Sequence, residues 1–189
     1  MTKGAGEKGE KNTPAGSVQV PQAGQVEEKK GETRSGKLQV VEFLLGKEHY
    51  AVDLFDVREV VEYTSITKLP NTASCMKGII DLRGEITTII DLKERLNILE
   101  KSDLPLENSR IIVLDEKITK AKTGILVDDV LAVSTFEHGD IDKTSASGAK
   151  EDAAILGIIK KKIKDKEQER NELIIWIDIR HLLAGIGQG

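Results

Sequence analysis

The chain has 189 residues, which is enough for one domain of ordinary size or for two small barrels that share an interface. Its net charge of -4, with both signs interspersed, and its aromatic content of 3% argue against a nucleic-acid-binding protein, which needs a basic surface and rings for base stacking. The single cysteine, Cys75, excludes an internal disulfide framework and is predicted to be a small buried hydrophobic side chain.

Residues 1–37 are predicted to form a disordered polar tail. They contain no Leu, Ile, Phe, Tyr or Trp, so they cannot bury enough apolar area to offset the entropy lost on ordering. The segment lacks the apolar stretch of a secretory signal, and no run of about 18 apolar residues indicates a transmembrane helix. The sequence therefore predicts a cytoplasmic protein that does not insert directly into the membrane.

Short strands are predicted from Leu38 onward. The pattern is carried by LQVVEFLLG, HYAVDL and VREVVEY, which are rich in Val, Phe and Tyr and are separated by turn residues. The segment DVREVVEY also fits a helix, but its β-branched content favours a strand. After Pro70, the segment NTASCMKG predicts a short helix that is capped by Asn71 or Thr72 and ends at Gly78.

The next predicted element is a hairpin. The sequence KGIIDLRGEITTIIDL indicates two apolar strands with Arg83 and Gly84 between them, and DLKERLNI then predicts a short helix with Asp91 as its N-cap. From Arg110 the strands resume as RIIVLD, TGILVDDV and LAVSTF. The chain closes with the strands ILGIIKK and ELIIWID and the short helix DIRHLLA.

The two halves of this pattern resemble each other. YAVDLFDV is similar to GILVDDV, KGII to LGII, and IIDLKERL to WIDIRHLL, and the three matches occur in the same order. Ordered self-similarity indicates two copies of one β unit. The sequence therefore predicts a mostly β chain with two small barrels side by side, the first over about 38–100 and the second over about 108–188, because closed barrels remove exposed strand edges.

No catalytic constellation is found. The three histidines, His49, His138 and His181, are far apart and lack metal-ligand spacing, so they are interpreted as surface or packing residues. Asp128 and Asp129 are adjacent, and neighbours in a strand point to opposite faces, so a turn role is favoured. Neither a phosphate loop nor a GxSxG motif is present. The sequence predicts no catalytic residue, no metal and no cofactor.

Two charged features remain. The cluster KKKIKDKEQER at 160–170 is interpreted as a solvated hairpin tip, with an electrostatic docking site as the alternative. Arg83 either lies in an exposed turn or pairs with a carboxylate at a barrel edge, where its planar fork makes paired hydrogen bonds. Glu59 is the candidate partner because it lies in another strand of the same half, where it would share one face with Val57 and Val61 at period two.

The string HYAVDLFDVREVVEYTSITKLPNTASCMKGIIDLRGEITTIIDL resembles the first half of CheW-type chemotaxis coupling proteins. The shared features are a hydrophobic strand that ends in Asp, a VxEI-like strand, a Pro-Asn turn, a Lys-Gly before the hairpin, an NLRG-like turn and a closing Asp-Leu. The resemblance continues through GILVDDVLAV to the final strand and helix, so it covers Leu38 to about Ala184. The polar tail, the 160–170 hairpin, and Asp81 in place of the more usual Asn depart from the pattern.

The resemblance implies two five-stranded, SH3-like β-barrels with short helices around a shared third core. It also implies a non-enzymatic adaptor that joins the cytoplasmic tips of chemoreceptors, the methyl-accepting chemotaxis proteins, to the regulatory domain of the histidine kinase CheA. Such a protein is cytoplasmic and is associated with membrane receptor arrays through its partners. Glu59 and Arg83 match the family's receptor-binding pair, and Val57, Val60 and Gly78 match neighbouring positions of the receptor-binding groove.

Two other functions fit the sequence. One is an SH3-like adaptor of a twitching or other sensory pathway, which would bind a different kinase and receptor. The other is an enzyme that uses Asp128, Asp129 or His138 in a cleft between the barrels. A divalent metal that stabilises the protein against melting would favour the enzyme.

Overall fold

The structure is a computed structural model that describes residues 36–100, 102–119, 121–143, 154–165 and 168–186, without the side chains of 164–169. Apart from Gly36 and Lys37, the predicted tail lies outside the described residues, and so does the tip of the 160–170 hairpin. The strands are β1 Lys37–Leu45, β2 Glu48–Asp53, β3 Val57–Glu62, β4 Met76–Leu82, β5 Glu85–Asp91, β6 Arg110–Leu114, β7 Thr123–Val127, β8 Asp129–Glu137, β9 Ile141–Asp142, β10 Ile155–Asp165 and β11 Gln168–Ile177. The α-helices are α1 Leu92–Leu96, α2 Glu116–Thr119 and α3 Ile179–Leu183.

The strands form two sheets, one of six strands in the order β8-β1-β2-β11-β10-β9 and one of five in the order β3-β6-β7-β5-β4. The two halves that were predicted to form one barrel each, 38–100 and 108–188, do not correspond to the two sheets, so this division is wrong. Each sheet takes strands from both halves of the chain because β2 pairs in parallel with β11, and β5 pairs in parallel with β7. The two-residue strand β9 also makes one sheet six-stranded rather than five-stranded.

Both sheets curl toward closure. The chain that leaves β3 crosses to the far edge of the five-stranded sheet, where Thr67 and Ile79 of β4 exchange two backbone hydrogen bonds of 2.9 Å. This bridge ties the edge strand β4 to the continuation of the edge strand β3, which is how a sheet becomes a barrel. In the six-stranded sheet, β8 continues through a 3₁₀ turn at His138–Asp140 into β9, so one length of chain lies at both edges.

Buried side chains form three clusters. One lies on the face of the six-stranded sheet that bears Val40, and one on the face of the five-stranded sheet that bears Ile80. The third cluster is shared by both sheets, and in β1 it takes Val41 and Phe43, which alternate with Val40. Burying one such side chain contributes about 1.5–3 kcal/mol. The shared core expected between the two sheets is therefore confirmed, and it holds them together.

Most of the predicted elements are confirmed, including the strand at DVREVVEY and the helix α1. The Asp91 carboxylate caps α1 by accepting hydrogen bonds from the Lys93 and Glu94 backbone N–H groups at 3.1 and 3.3 Å. Cys75 is buried, as predicted. No helix in the described part of the chain is long and apolar enough to cross a membrane.

The helix predicted at NTASCMKG is wrong, because this segment leads directly into β4. The Cys75 carbonyl accepts a hydrogen bond of 2.7 Å from the Asp91 backbone N–H, and Met76 pairs with Ile90 of β5. The long-range ladder therefore takes the backbone groups that a local helix would use. Asn71, one of the two predicted helix caps, instead adopts a positive φ of 57° in a turn.

Candidate functional site

Arg83 and Gly84 form the two-residue connection between β4 and β5. Both have positive φ, 55° and 84°, which is the backbone of a type I′ hairpin turn. The Gly84 N–H donates a hydrogen bond of 2.7 Å to the Asp81 carboxylate, which fixes the turn. A non-glycine residue in this conformation is strained by about 1 kcal/mol. The turn alone would be formed more easily by Asn or Gly, so the arginine side chain serves something other than the turn.

The guanidinium of Arg83 pairs with the carboxylate of Glu59 on β3. Arg83 Nη2 lies 3.1 Å from Glu59 Oε2, which confirms the predicted contact between these two residues. The Arg83 side chain is 77% exposed and that of Glu59 is 24% exposed. An ion pair this open to solvent contributes about 0–1 kcal/mol to stability. Most of the guanidinium donors therefore face solvent at a defined position and are free to meet a partner.

The faces of β3 differ from the prediction. The register of β3 on β6 shifts between Val57 and Glu59, which marks a β-bulge at Arg58. The extra residue puts Val57 and Val60 together on the shared core, while Glu59 keeps the same face as Val61. The predicted common face of Glu59 and Val57 is therefore wrong.

Val57 and Val60 are core residues in this structure. Val57 is 8% exposed, and Val60 is half-buried against the shared core. Their side chains set the position of β3, and through β3 the position of Glu59. This placement gives both valines a structural role whether or not a partner touches them.

Gly78 is buried and has a φ of 145°. A Cβ built on it would lie 2.2 Å from the Thr67 carbonyl oxygen and 2.8 Å from the Ile66 side chain. The residue lies directly beneath the Thr67–Ile79 bridge that closes the five-stranded barrel. An isolated glycine inside a strand pattern often marks such a close approach, and this signal was open to sequence reasoning.

A cavity of about 130 Å³ lies between the five-stranded barrel and the end of α3. Its lining residues are Met76, Thr88, Ile90, Thr119, Ala121, Thr123, Leu183 and Ile186. None of them ionises near neutral pH, and the hydroxyls of Thr119 and Thr123 already bond to each other and to the Ala121 carbonyl. Such a cavity offers contact area to an apolar side chain and no group for acid–base chemistry.

Residues 39–186 match the family model of the CheW-like domain, which is most of the chain. The chain belongs to the CheW-like family. It is 30% identical over 145 residues to a chemotaxis protein CheW of Klebsiella aerogenes, which covers 75% of this chain and 79% of that one. It is 29% identical to a chemotaxis protein CheW of Bacillus subtilis, with 80% of this chain and 90% of that one covered.

The fold comparison agrees with this family. The crystal structure of a scaffolding protein, TtCheW of Thermoanaerobacter tengcongensis, matches with a TM-score of 0.64 and 32% identity, and covers 84% of this chain and 94% of that one. The predicted CheW-like, mostly β fold is thereby confirmed. The family is one of scaffolds, which agrees with the expectation of a non-enzymatic protein.

The acidic and histidine residues of the alternative enzyme do not form a site in this CheW-like chain. Asp128 is buried and accepts hydrogen bonds of 2.7 Å from the Gly46 N–H and from Lys93 Nζ, so it braces the β1–β2 turn and α1. This confirms its turn role. Asp129 is the first residue of β8 and His138 follows its last residue, so these two residues lie at opposite ends of the strand. No group of three or more His, Cys, Asp or Glu in the described residues is arranged to hold a metal ion.

The CheW-like chain also contains a buried charge that sequence reasoning missed. Glu42 of β1 is fully buried, and Lys161 Nζ of β10 donates to both of its oxygens at 3.0 and 2.7 Å. Nearby, His49 Nδ1 lies 3.1 Å from Glu172 Oε1. The Glu42–Lys161 pair therefore places charge inside one end of the six-stranded barrel.

A second ion pair supports the hairpin that carries Arg83. Lys77 Nζ donates to Asp91 Oδ2 at 2.8 Å, and this hydrogen bond raises the pKa of Lys77 above its usual value. A raised pKa in the folded state means that the stabilisation is complete below the unfolded pKa of about 10.4 and is lost as the pH rises through the folded value.

Replacing Lys77 by Met is therefore expected to lower the free energy of unfolding at neutral pH and to have a smaller effect in strongly alkaline solution. Urea denaturation of both proteins at a series of pH values measures the difference. Lys47→Met is the matched control, because Lys47 is exposed and its nearest carboxylate oxygen, on Asp103, is 3.9 Å away. A Lys77→Met difference that stays constant with pH would contradict the prediction.

Proposed function

We propose that this chain is a chemotaxis adaptor that joins the cytoplasmic tips of methyl-accepting chemoreceptors to the regulatory domain of the histidine kinase CheA. In this proposal the protein acts in the cytoplasm and belongs to membrane receptor arrays through its partners. The observation that carries it is the solvent-facing Arg83–Glu59 pair, displayed on a strained hairpin turn of a CheW-like chain.

The receptor contact is assigned to the surface around this pair. Receptor tips are long helical hairpins, whose apolar stripe needs an apolar surface and whose flanks carry polar groups. Ile86 of β5, which is 62% exposed, lies three residues beyond Arg83 and supplies apolar area. The free guanidinium donors of Arg83 can bind carboxylate or carbonyl oxygens of the helix, and such charged hydrogen bonds fix orientation more than they add affinity.

The kinase is assigned to a different surface. By the family resemblance, the CheA regulatory domain is itself a double barrel of this kind, so the two proteins can dock barrel end to barrel end. Contacts between like folds that are not symmetric can close into rings and extend into arrays. Signalling then consists of a change in packing between the partners, with no chemical step in this chain.

Replacing Arg83 by Asn is expected to weaken binding of a receptor cytoplasmic fragment about tenfold, because the charged hydrogen bonds are lost. Stability is expected to stay equal or to rise, since Asn tolerates the positive φ of this turn better than Arg. Isothermal titration calorimetry measures the affinity, and thermal melting measures the stability.

The matched control is Arg58→Gln on β3, the strand that also carries Glu59. Arg58 also makes a single exposed ion pair, with Glu116 at 3.1 Å, so this change removes an equivalent charge. Receptor affinity should be unchanged in the control. Equal receptor affinity for Arg83→Asn and the unchanged protein would overturn the assignment of this surface.

The complete proposal is tested by mixing the full chain with a receptor cytoplasmic fragment and the CheA regulatory domain. A ternary complex that elutes together in size-exclusion chromatography is the expected result. Arg83→Asn should reduce the receptor in that peak and leave the kinase domain bound. A chain that binds neither protein would refute the adaptor function.

A further inference from the structure

A phenylalanine side chain is exposed on the short connection between the two sheets. Phe55 is the middle residue of the 3₁₀ turn Leu54–Asp56, which joins β2 to β3, and it is 63% exposed. The other two phenylalanines of the chain, Phe43 and Phe136, are buried. Aromatic side chains are enriched among the residues that anchor protein interfaces. Phe55 is therefore the one phenyl ring that this chain offers to a partner.

Three contacts fix the backbone that carries this ring. The Asp53 carboxylate accepts a hydrogen bond of 2.9 Å from the Phe55 N–H. The Phe55 carbonyl accepts one of 2.5 Å from Lys117 Nζ of α2. The carboxylate of the next residue, Asp56, accepts one of 2.6 Å from Arg180 Nη2 of α3. The ring is thus held by an ordered turn before any partner arrives, which lowers the entropy cost of binding.

The apolar cavity of about 130 Å³ lies at the other end of the same two helices. Thr119, the last residue of α2, and Leu183, the last residue of α3, both line it. Lys117 in α2 and Arg180 in α3 make the contacts with the Phe55 turn. The two helices are only four and five residues long. The exposed ring and the cavity therefore belong to one small region of the protein surface.

The size and the lining of the cavity suit a phenyl ring. An engineered apolar cavity of about 150 Å³ in another protein binds benzene, which has the size of a phenylalanine ring. The walls here include Ile90, Ile186 and the thioether of Met76. A sulfur atom beside an aromatic ring makes a favourable contact. The chain thus carries a phenyl ring and a recess of matching volume close together.

We propose that two copies of the chain form a two-fold dimer in which the Phe55 ring of each protomer fills the cavity of the other. A two-fold contact needs one surface that holds both a projection and the recess that receives it, and the surface around α2 and α3 holds both. A partner of another kind that filled the cavity would leave Phe55 exposed, whereas a second copy buries both features at once.

The area available makes this dimer a weak one. Two inserted rings and the walls that they cover bury roughly 600–1,000 Å². Stable interfaces bury about 1,200–2,000 Å², so the dimer is expected to form at high protein concentration and to dissociate on dilution.

Sedimentation velocity of the full chain over a concentration series up to about 1 mM tests the proposal. The expected result is a monomer–dimer equilibrium that added salt leaves unchanged or strengthens, because the contact is apolar. Phe55→Ser removes both rings and is expected to weaken the dimer at least about tenfold. Ala121→Leu adds a side chain at the exposed edge of the cavity and should weaken the dimer as much, by filling the space that the ring needs.

An equimolar mixture of these two variants tests the reciprocal insertion. A heterodimer of Phe55→Ser and Ala121→Leu keeps one ring and one open cavity that face each other, whereas neither homodimer keeps any such contact. The mixture should therefore dimerise more tightly than either variant alone and less tightly than the unchanged protein.

The methyl signal of Met76 reports the inserted ring directly. The chain has two methionines, Met1 and Met76, so methyl-labelled protein gives two signals in an NMR spectrum. The Met76 signal should move as the protein concentration rises, because the partner's Phe55 then lies beside it, and it should stay constant in Phe55→Ser. Benzene, which competes for the cavity, should move the Met76 signal of Phe55→Ser and dissociate the dimer of the unchanged chain.

Leu106→Ser is the matched control, because Leu106 is 57% exposed and also lies in a 3₁₀ turn. It should leave the dimer unchanged, and so should Arg83→Asn, which separates this contact from the receptor site. If Ala121→Leu lowers the melting temperature, the competition with benzene tests the same cavity without a substitution.

Several results would overturn the dimer. These are a chain that is monomeric at every concentration, a Phe55→Ser variant that dimerises normally, and a mixture that dimerises no more tightly than its components. A monomer whose Met76 signal responds to benzene alone would overturn it in favour of a site for a small apolar ligand. A dimer that is lost at high salt would overturn it in favour of contacts between exposed charges.

Discussion

Replacing Lys161 by Met is expected to lower the free energy of unfolding by about 3–5 kcal/mol, because it leaves a buried carboxylate without its counter-ion. Glu42 is 0% exposed, and the Lys161 ammonium bonds both of its oxygens. No other ion pair reaches this carboxylate among the described residues. Urea denaturation at neutral pH measures the loss.

The double variant Glu42→Leu, Lys161→Met is the control for this prediction. Removing both charges from a buried pair is often neutral or stabilising, so the double variant should recover most of the lost stability. Such recovery would show that the loss in the single variant comes from the unpaired charge. A single variant as stable as the unchanged protein would contradict the buried pair.

Replacing Gly78 by Ala is expected to cost about 3 kcal/mol or more, through backbone strain and the loss of two backbone hydrogen bonds. The new Cβ would lie 2.2 Å from the Thr67 carbonyl oxygen, so the bridge between Thr67 and Ile79 must open. Chemical denaturation measures the cost. Hydrogen exchange at the Ile79 amide reports whether the barrel has opened at this point.

Two other glycines separate the causes of that loss. Gly84 has a positive φ of 84° but open space around its Cβ position, so Gly84→Ala should cost only the strain, about 1 kcal/mol. Gly139 has open space and no positive φ, so Gly139→Ala should be close to neutral. The closure role of Gly78 would be refuted if Gly78→Ala cost no more than Gly84→Ala.

The local elements were predictable because their causes are local. The apolar, valine-rich run of β1, the turn residues Arg83 and Gly84, and the N-cap Asp91 are all read from a few neighbouring residues. The helix predicted after Pro70 failed for the opposite reason. The segment contains residues that can cap a helix, but its backbone forms hydrogen bonds with β5 instead. Pairing with another strand cannot be predicted from the periodicity of the segment itself.

The sheet membership of the strands was out of reach for the same reason. The parallel pairings of β2 with β11 and of β5 with β7 join segments far apart in sequence, and the internal similarity of the two halves favoured the wrong division. The β3 bulge is likewise invisible in the letters VREVVE, so the face of Val57 was assigned wrongly.

For the candidate site, residue types gave the Arg83–Glu59 pair as one of two alternatives, the family resemblance favoured it, and neither pointed to Glu42. The structure confirms the contact of Arg83 with Glu59. Glu42 carried a signal that could have been used. It lies in a strand with apolar residues on both faces, and a carboxylate there must be buried and needs a cationic partner. Which lysine supplies it depends on tertiary structure alone.

The interleaved strand order has a consequence for the newly made protein. Once residue 127 has been synthesised, every strand of the five-stranded sheet exists. The partners of β1 and β2 in the other sheet, β8 and β11, are synthesised only after residue 128. The face of the N-terminal hairpin that bears Val40 and Ala51 therefore stays uncovered until Phe136, Ile159 and Ile174 are made, and in that interval it is an exposed apolar surface on the nascent chain.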